Sequence, residues 1–80
     1  MAIVIFSGGQ RGLVGGDERV EIEAARVVDL IAALYARYPD LVDKLEGAAI
    51  AIDGTLHHEA RYQRLGASSE VHFLGPLAGG

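Results

Sequence analysis

The hydrophobic positions of this chain change period from one stretch to the next, and each change marks an element. Ala2-Ile3-Val4-Ile5-Phe6-Ser7 is a β-branched and aromatic run closed by Gly8-Gly9, which predicts a buried first strand. From Glu18 to Glu23, Val20 and Ile22 alternate with Arg19, Glu21 and Glu23, the period of two of a strand with one dry and one wet face. Such a strand pairs with the first as a hairpin. From Arg26 the period lengthens: Val27, Leu30, Ile31, Leu34 and Tyr38 recur at three and four residues, with Asp29, Ala33 and Arg37 on the other side. This predicts one amphipathic helix. Ala24-Ala25 stand where a capping side chain is preferred, and Pro39 ends the helix at about Tyr38. Asp40 is placed to cap a second short helical turn, with Leu41 and Leu45 facing inward and Gly47 terminating it.

Ala48-Ala49-Ile50-Ala51-Ile52 reads as a small buried strand, and Asp53-Gly54 is a hairpin signal leading into Thr55-Leu56-His57. The stretch from Glu59 to Ser69 is polar, with Tyr62 and Leu65 as its sizeable apolar anchors, and a final strand runs from Glu70 to Leu74. The order strand, strand, helix, strand, short strand, strand predicts an α+β layer fold in which one helix covers one face of a four- or five-stranded sheet. A single long helix is too few for a doubly wound parallel fold.

Eighty residues make one domain with a modest core. Half the residues are apolar and 22% charged, which places the chain among folded proteins. The formal charge of −4 argues against a nucleic-acid partner, because that affinity rests on clustered Lys and Arg. With no cysteine, there is no disulfide framework, thiolate nucleophile or sulfur-ligated zinc. The apolar start Met1-Ala2-Ile3-Val4-Ile5-Phe6 is short and lacks a basic region, and no run approaches the ~18 apolar residues of a membrane span. A cytoplasmic location, away from membranes, is expected.

Five of the eleven glycines fall between Gly8 and Gly16, but their spacing fits neither a Walker loop nor a dinucleotide fingerprint. Gly9-Gln10-Arg11-Gly12 matches a nucleic-acid GxxG clamp without the positive charge such a clamp needs. A flexible hairpin loop is expected there, with Leu13 and Val14 folding back over one end of the core. His57-His58 invites a metal, yet adjacent residues of an extended segment diverge, and nothing nearby completes a ligand set. The carboxylates Asp17, Glu18, Glu21 and Glu23 are accounted for as a charged loop and strand face. No spacing suggests a nucleophile with a nearby base.

What remains is the last stretch, Val71-His72-Phe73-Leu74-Gly75-Pro76-Leu77-Ala78-Gly79-Gly80. Alternation puts Val71 and Phe73 beneath the helix, and His72 and Leu74 on the outer face. Leu74 is then an exposed docking contact beside the tail, and Leu56 is a second of the same kind. Two final glycines, having no Cβ, suit an extended tail entering a narrow site that would reject branched residues.

Element order, length and ending together resemble the MoaD/ThiS family of ubiquitin-like sulfur carriers, most of all the small subunit of molybdopterin synthase. The resemblance rests on Phe6, Arg11 with Leu13-Val14-Gly15, the helix from Val27 to Tyr38, Ala49-Ile50-Ala51-Ile52-Asp53-Gly54, and Glu70 to Gly80. Ser68-Ser69 stand where Gly-Asp is usual, and Gly75 replaces the first of two prolines. The resemblance implies a β-grasp domain over residues 1–74 and a flexible diglycine tail over residues 75–80. It implies that the chain is not an enzyme. An E1-like adenylyltransferase would activate the carboxylate of Gly80 with ATP, and a persulfide donor would convert it to a thiocarboxylate. That group would be donated inside an acceptor such as the large molybdopterin synthase subunit, with Leu77, Ala78 and Gly79 threaded through its channel and Pro76 a further partner contact. ATP belongs to the partner, and no cofactor is expected on this chain. The alternatives are a carrier for thiamine synthesis or tRNA thiolation, a protein modifier joined to lysines through Gly80, and a non-covalent β-grasp binding module.

Overall fold

The structure, a computed structural model, describes residues 1–6, 8–46 and 48–74. The expected helix terminator Gly47 and the tail residues 75–80, with the candidates Pro76, Leu77, Ala78, Gly79 and Gly80, lie outside the described residues. Among the described residues, five strands form one sheet: β1 (Ala2–Ile5), β2 (Arg19–Ile22), β3 (Ala49–Ile52), β4 (Thr55–His57) and β5 (Glu70–Leu74). Their order across the sheet is β2-β1-β5-β3-β4. The last strand is therefore the central one. It pairs parallel with β1 and antiparallel with β3, which makes the sheet mixed.

Helix α1 (Val27–Arg37) lies on one face. Val27, Leu30 and Leu34 are fully buried beneath it, against Val4, Val20, Ile50, Val71 and Phe73 of the sheet. Each fully buried leucine contributes roughly 2 kcal/mol. Ala33, expected on the wet side of the helix, packs partly against the same core, so the apolar stripe is wider than the period suggested. Arg26 occupies the N-cap position and no side chain caps the helix. Backbone does that work instead: Val27 N–H donates to the Gln63 carbonyl at 3.0 Å and Val28 N–H to that of Arg61 at 2.8 Å. The polar stretch after β4 thus satisfies two of the donors a helix start leaves open. That use of its backbone leaves Tyr62 70% exposed rather than anchoring, and Ala60 and Leu65 pack inward.

Tyr38 closes the helix, its N–H donating to the Leu34 carbonyl at 2.8 Å. A 3₁₀ turn follows over Pro39–Leu41, with Tyr38, not Asp40, at its N-cap position and Pro39 first in the turn. Proline suits that place because its missing N–H would have no partner there. Leu41 and Leu45 are buried as predicted. The Asp53-Gly54 turn has φ of 50° and 85°, both left-handed, as the tight reversal from β3 to β4 requires.

Two readings of the first quarter are corrected. Strand β1 is not buried on both faces: Ala2 and Val4 are buried, while Ile3 and Ile5 are half-buried on the side away from α1. The glycine-rich segment is not a plain loop but a 3₁₀ helix over Gly8–Val14, held by buried Gln10 and Val14 and left through Gly15 and Gly16 at φ of 68° and 89°. Its Arg11 pairs with Glu18 just before β2.

Candidate functional site

The outer face of the sheet is built by the ladder registers. Ile5 stands opposite Arg19 on one side and His72 on the other. His72 stands opposite Ala51, and Ala51 opposite Leu56. Arg19, Ile5, His72, Ala51 and Leu56 therefore form one row across all five strands, on the face that α1 leaves uncovered. A second pair, Ala49 with Leu74, lies beside that row at the end where β5 finishes.

Both partner-binding candidates among the described residues lie here. Leu56 is 50% exposed and Leu74 is 41% exposed. Each faces one alanine of the same strand, so the short side chains of Ala49 and Ala51 leave a low strip between the two leucines. His72 is on this outer face, half-buried, with its Nε2 2.9 Å from Glu70 Oε1. Ile3 and Ile5 widen the apolar area towards β2, where Arg19 and Glu21 provide a charged edge. The result is an apolar centre with polar groups around it, the composition of a protein-docking surface. Sequence reasoning found its two leucines but missed Ile5 and Ala51, because an unbroken apolar run does not show which face is wet.

The opposite side carries a cleft of about 340 Å³ between the start of α1 and the segment after β4, lined among others by Val27, Ile31, Ala48, His58, Glu59 and Arg61. Its rim is occupied by internal contacts. Arg61 pairs with Glu46 at 3.3 Å, and Tyr35 hydroxyl donates to the other oxygen of Glu46 at 2.7 Å while accepting from Leu45 N–H at 3.3 Å. Burial, with the hydrogen bond to Glu46 second, pushes the Tyr35 phenol up to about 12. Tyr38 is also raised, by burial first and then by the hydrogen bond its hydroxyl donates to Asp17 Oδ2 at 2.9 Å.

His57 closes β4 opposite Ile50, on the helix side, whereas His58 is exposed at the cleft. Among the described residues, no group of three or more His, Cys, Asp or Glu could hold a metal ion, and no helix is long and apolar enough to cross a membrane. Gln10 was passed over as part of a glycine loop, yet it is 7% exposed and its Nε2 donates to the Phe73 carbonyl at 2.7 Å, one residue before the end of β5.

Solved structures share this architecture over nearly the whole chain. Small archaeal modifier protein 1 from Methanosarcina acetivorans superposes with a TM-score of 0.78 at 24% identity, covering 99% of this chain and 95% of that one. The Amycolatopsis orientalis BexX/CysO complex gives 0.82 at 18% identity, covering 100% of both chains. A putative molybdopterin converting factor subunit 1 from Pyrococcus furiosus gives 0.70 at 25% identity, covering 94% and 95%. These likenesses identify the fold as a ubiquitin-like β-grasp. No curated protein sequence matches the chain. The model of the ThiS family matches residues 4–80, from the first strand through Gly79-Gly80, and the chain belongs to that family.

Proposed function

We propose that this protein is a sulfur carrier whose reacting group is the carboxylate of Gly80. The observation that carries the reading is the family match running through Gly79-Gly80, on a fold whose uncovered sheet face presents Leu56 and Leu74 to a partner. In this reading an E1-like enzyme docks on the outer face and takes the tail into its nucleotide site. A carboxylate oxygen of Gly80 attacks the α-phosphorus of ATP and pyrophosphate leaves. The mixed anhydride turns a poor electrophile into a good one. The outer sulfur of an enzyme persulfide then attacks the acyl carbon, and AMP leaves with one former carboxylate oxygen. A thiol cleaves the resulting acyl disulfide, giving the thiocarboxylate and a disulfide on the donor side.

Nucleotide, sulfur nucleophile and reductant all belong to partners, so the chain acts as a carried substrate rather than as an enzyme. The acceptor proposed is the large subunit of molybdopterin synthase, supported by the ending of the sequence and by the likeness to a putative molybdopterin converting factor subunit. Pro76, Leu77, Ala78 and Gly79 are the proposed channel contacts. A second reading, attachment of Gly80 to lysines, is favoured by the likeness to a small archaeal modifier protein. The two share every step up to the adenylate.

Intact mass after incubation with an E1-like enzyme of this family, ATP, a persulfide donor and a thiol tests the proposal. Exchange of one oxygen for sulfur is expected, and it should vanish when Gly79-Gly80 are deleted. An unchanged mass under verified activity of the enzyme would overturn the carrier reading, and adducts carrying the mass of a second protein would favour the modifier.

A further inference from the structure

Strand β5 ends at Leu74, and the two edges of that end are held differently. Carbonyls of a strand alternate between its edges. Ile3 N–H donates to the Ser69 carbonyl at 2.7 Å, so the carbonyls of Ser69, Val71 and Phe73 all face β1. On the other edge, Asp53 N–H donates to the Glu70 carbonyl at 2.9 Å, which fixes the same alternation. Pairing of β1 with β5 runs only from Ile3 with Glu70 to Ile5 with His72, and β1 ends at Ile5. Phe73 and Leu74 stand opposite Ile50 and Ala49 of β3, and the pairing of Ile5 with His72 also brings the Phe73 N–H to the Ile5 carbonyl. The Phe73 carbonyl faces the β1 edge beyond the last pair of that ladder among the described residues, and a buried carbonyl is held by a donor.

Gln10 supplies it. Its Nε2 donates to that carbonyl at 2.7 Å, from the 3₁₀ helix that follows β1. The side chain is buried, and its backbone is set by the 3₁₀ helix that Val14 anchors in the core. We propose that Gln10 is a positioning residue: its side-chain amide holds the Phe73 carbonyl and so fixes the end of β5, where Leu74 joins the outer face. The consequence for reaction rests on the carrier reading above, because a fixed end of β5 aligns docking of the sheet face with entry of Gly80 into a partner's site. Contacts on the outer face are independent of Gln10, which lies on the edge of β5 and not on that face.

Gln10→Met keeps length and apolar packing but removes the donor. In this variant the amides of Phe73 and Leu74 should lose about tenfold in hydrogen-exchange protection relative to those of Val4 and Val71. Gln10→Glu supplies a second measurement, since a protonated carboxyl can donate and a carboxylate cannot. Protection at Phe73 and Leu74 should then be restored as the pH falls, a dependence that loss of packing does not produce. With an E1-like enzyme, Gln10→Met should leave KM within about twofold of the parent chain and lower kcat roughly tenfold. Unchanged protection in both variants overturns the latch. Normal kcat in a variant with lowered protection overturns its positioning role. Failure of the parent chain to be activated overturns the carrier reading and the kinetic consequence with it, while the exchange result still decides whether Gln10 holds β5.

Discussion

Leu56 and His72 stand on opposite sides of Ala51, in one row across the outer face of the sheet. An exposed leucine and a histidine paired with Glu70 are thus set with one strand between them, around a residue too short to cover either. On the proposed reading this row is where a partner enzyme rests.

A charge placed there should weaken docking without harming the fold. Leu56→Asp and Leu74→Asp each bury an unpaired carboxylate in the complex and should raise KM for activation by about tenfold or more. Thermal unfolding should stay within about 0.5 kcal/mol of the parent, as expected for exposed sites outside the core. Activation kinetics alongside a melting curve checks both halves.

Phe73 is adjacent to Leu74 but points to the other face and is 1% exposed. Phe73→Ala should cost about 3–5 kcal/mol, through lost burial and the cavity left in the central strand. For a domain of eighty residues this approaches the whole stability, so urea titration should find the variant largely unfolded. Leu74→Ala should change the same titration little.

The Asp53-Gly54 turn makes two separable demands. Gly54 sits at φ 85° with nothing within 4 Å of an added Cβ, so Gly54→Ala should cost about 1 kcal/mol through backbone conformation alone. Asp53 is left-handed too, and its Oδ1 accepts from Glu70 N–H at 2.8 Å. Asp53→Asn, which tolerates the conformation and keeps an acceptor, should be nearly neutral. Asp53→Ala should lose about 1–2 kcal/mol in chemical denaturation.

Alkaline pH should unfold the protein partly through Tyr35. Its phenol is raised from 10.0 to about 12 in the folded chain, so between those values the unfolded state gives up a proton that the native state keeps. Stability from this group is fully present below pH 10 and falls as pH rises towards 12. Stability curves of the parent and Tyr35→Phe should therefore converge over that window, with the phenolate absorbance of Tyr35 appearing late in the titration.

Much of this architecture can be read from the periods. Alternation at Val20 and Ile22 and the three-and-four spacing from Val27 to Tyr38 place elements that the structure shows within a residue, because each period is a geometric property of the backbone conformation. Alternation in Glu70 to Leu74 likewise separates buried Phe73 from exposed Leu74, and Asp53-Gly54 demands its turn by local conformational preference. Adjacency across the sheet is another matter. Nothing local says that the last strand lies at the centre between β1 and β3, since pairing partners are chosen by the burial of the whole set. For the same reason the wet face of β1, the backbone cap that residues 61 and 63 give the helix, and the reach of Gln10 to Phe73 over 63 positions became visible only in three dimensions. The sequence by itself determined the strands and the main helix, the inward faces of most of them and the family of the chain. Tertiary structure alone decided which outward residues share one surface and which side chain holds the end of the central strand, because those relationships join residues that have no local correlation along the chain.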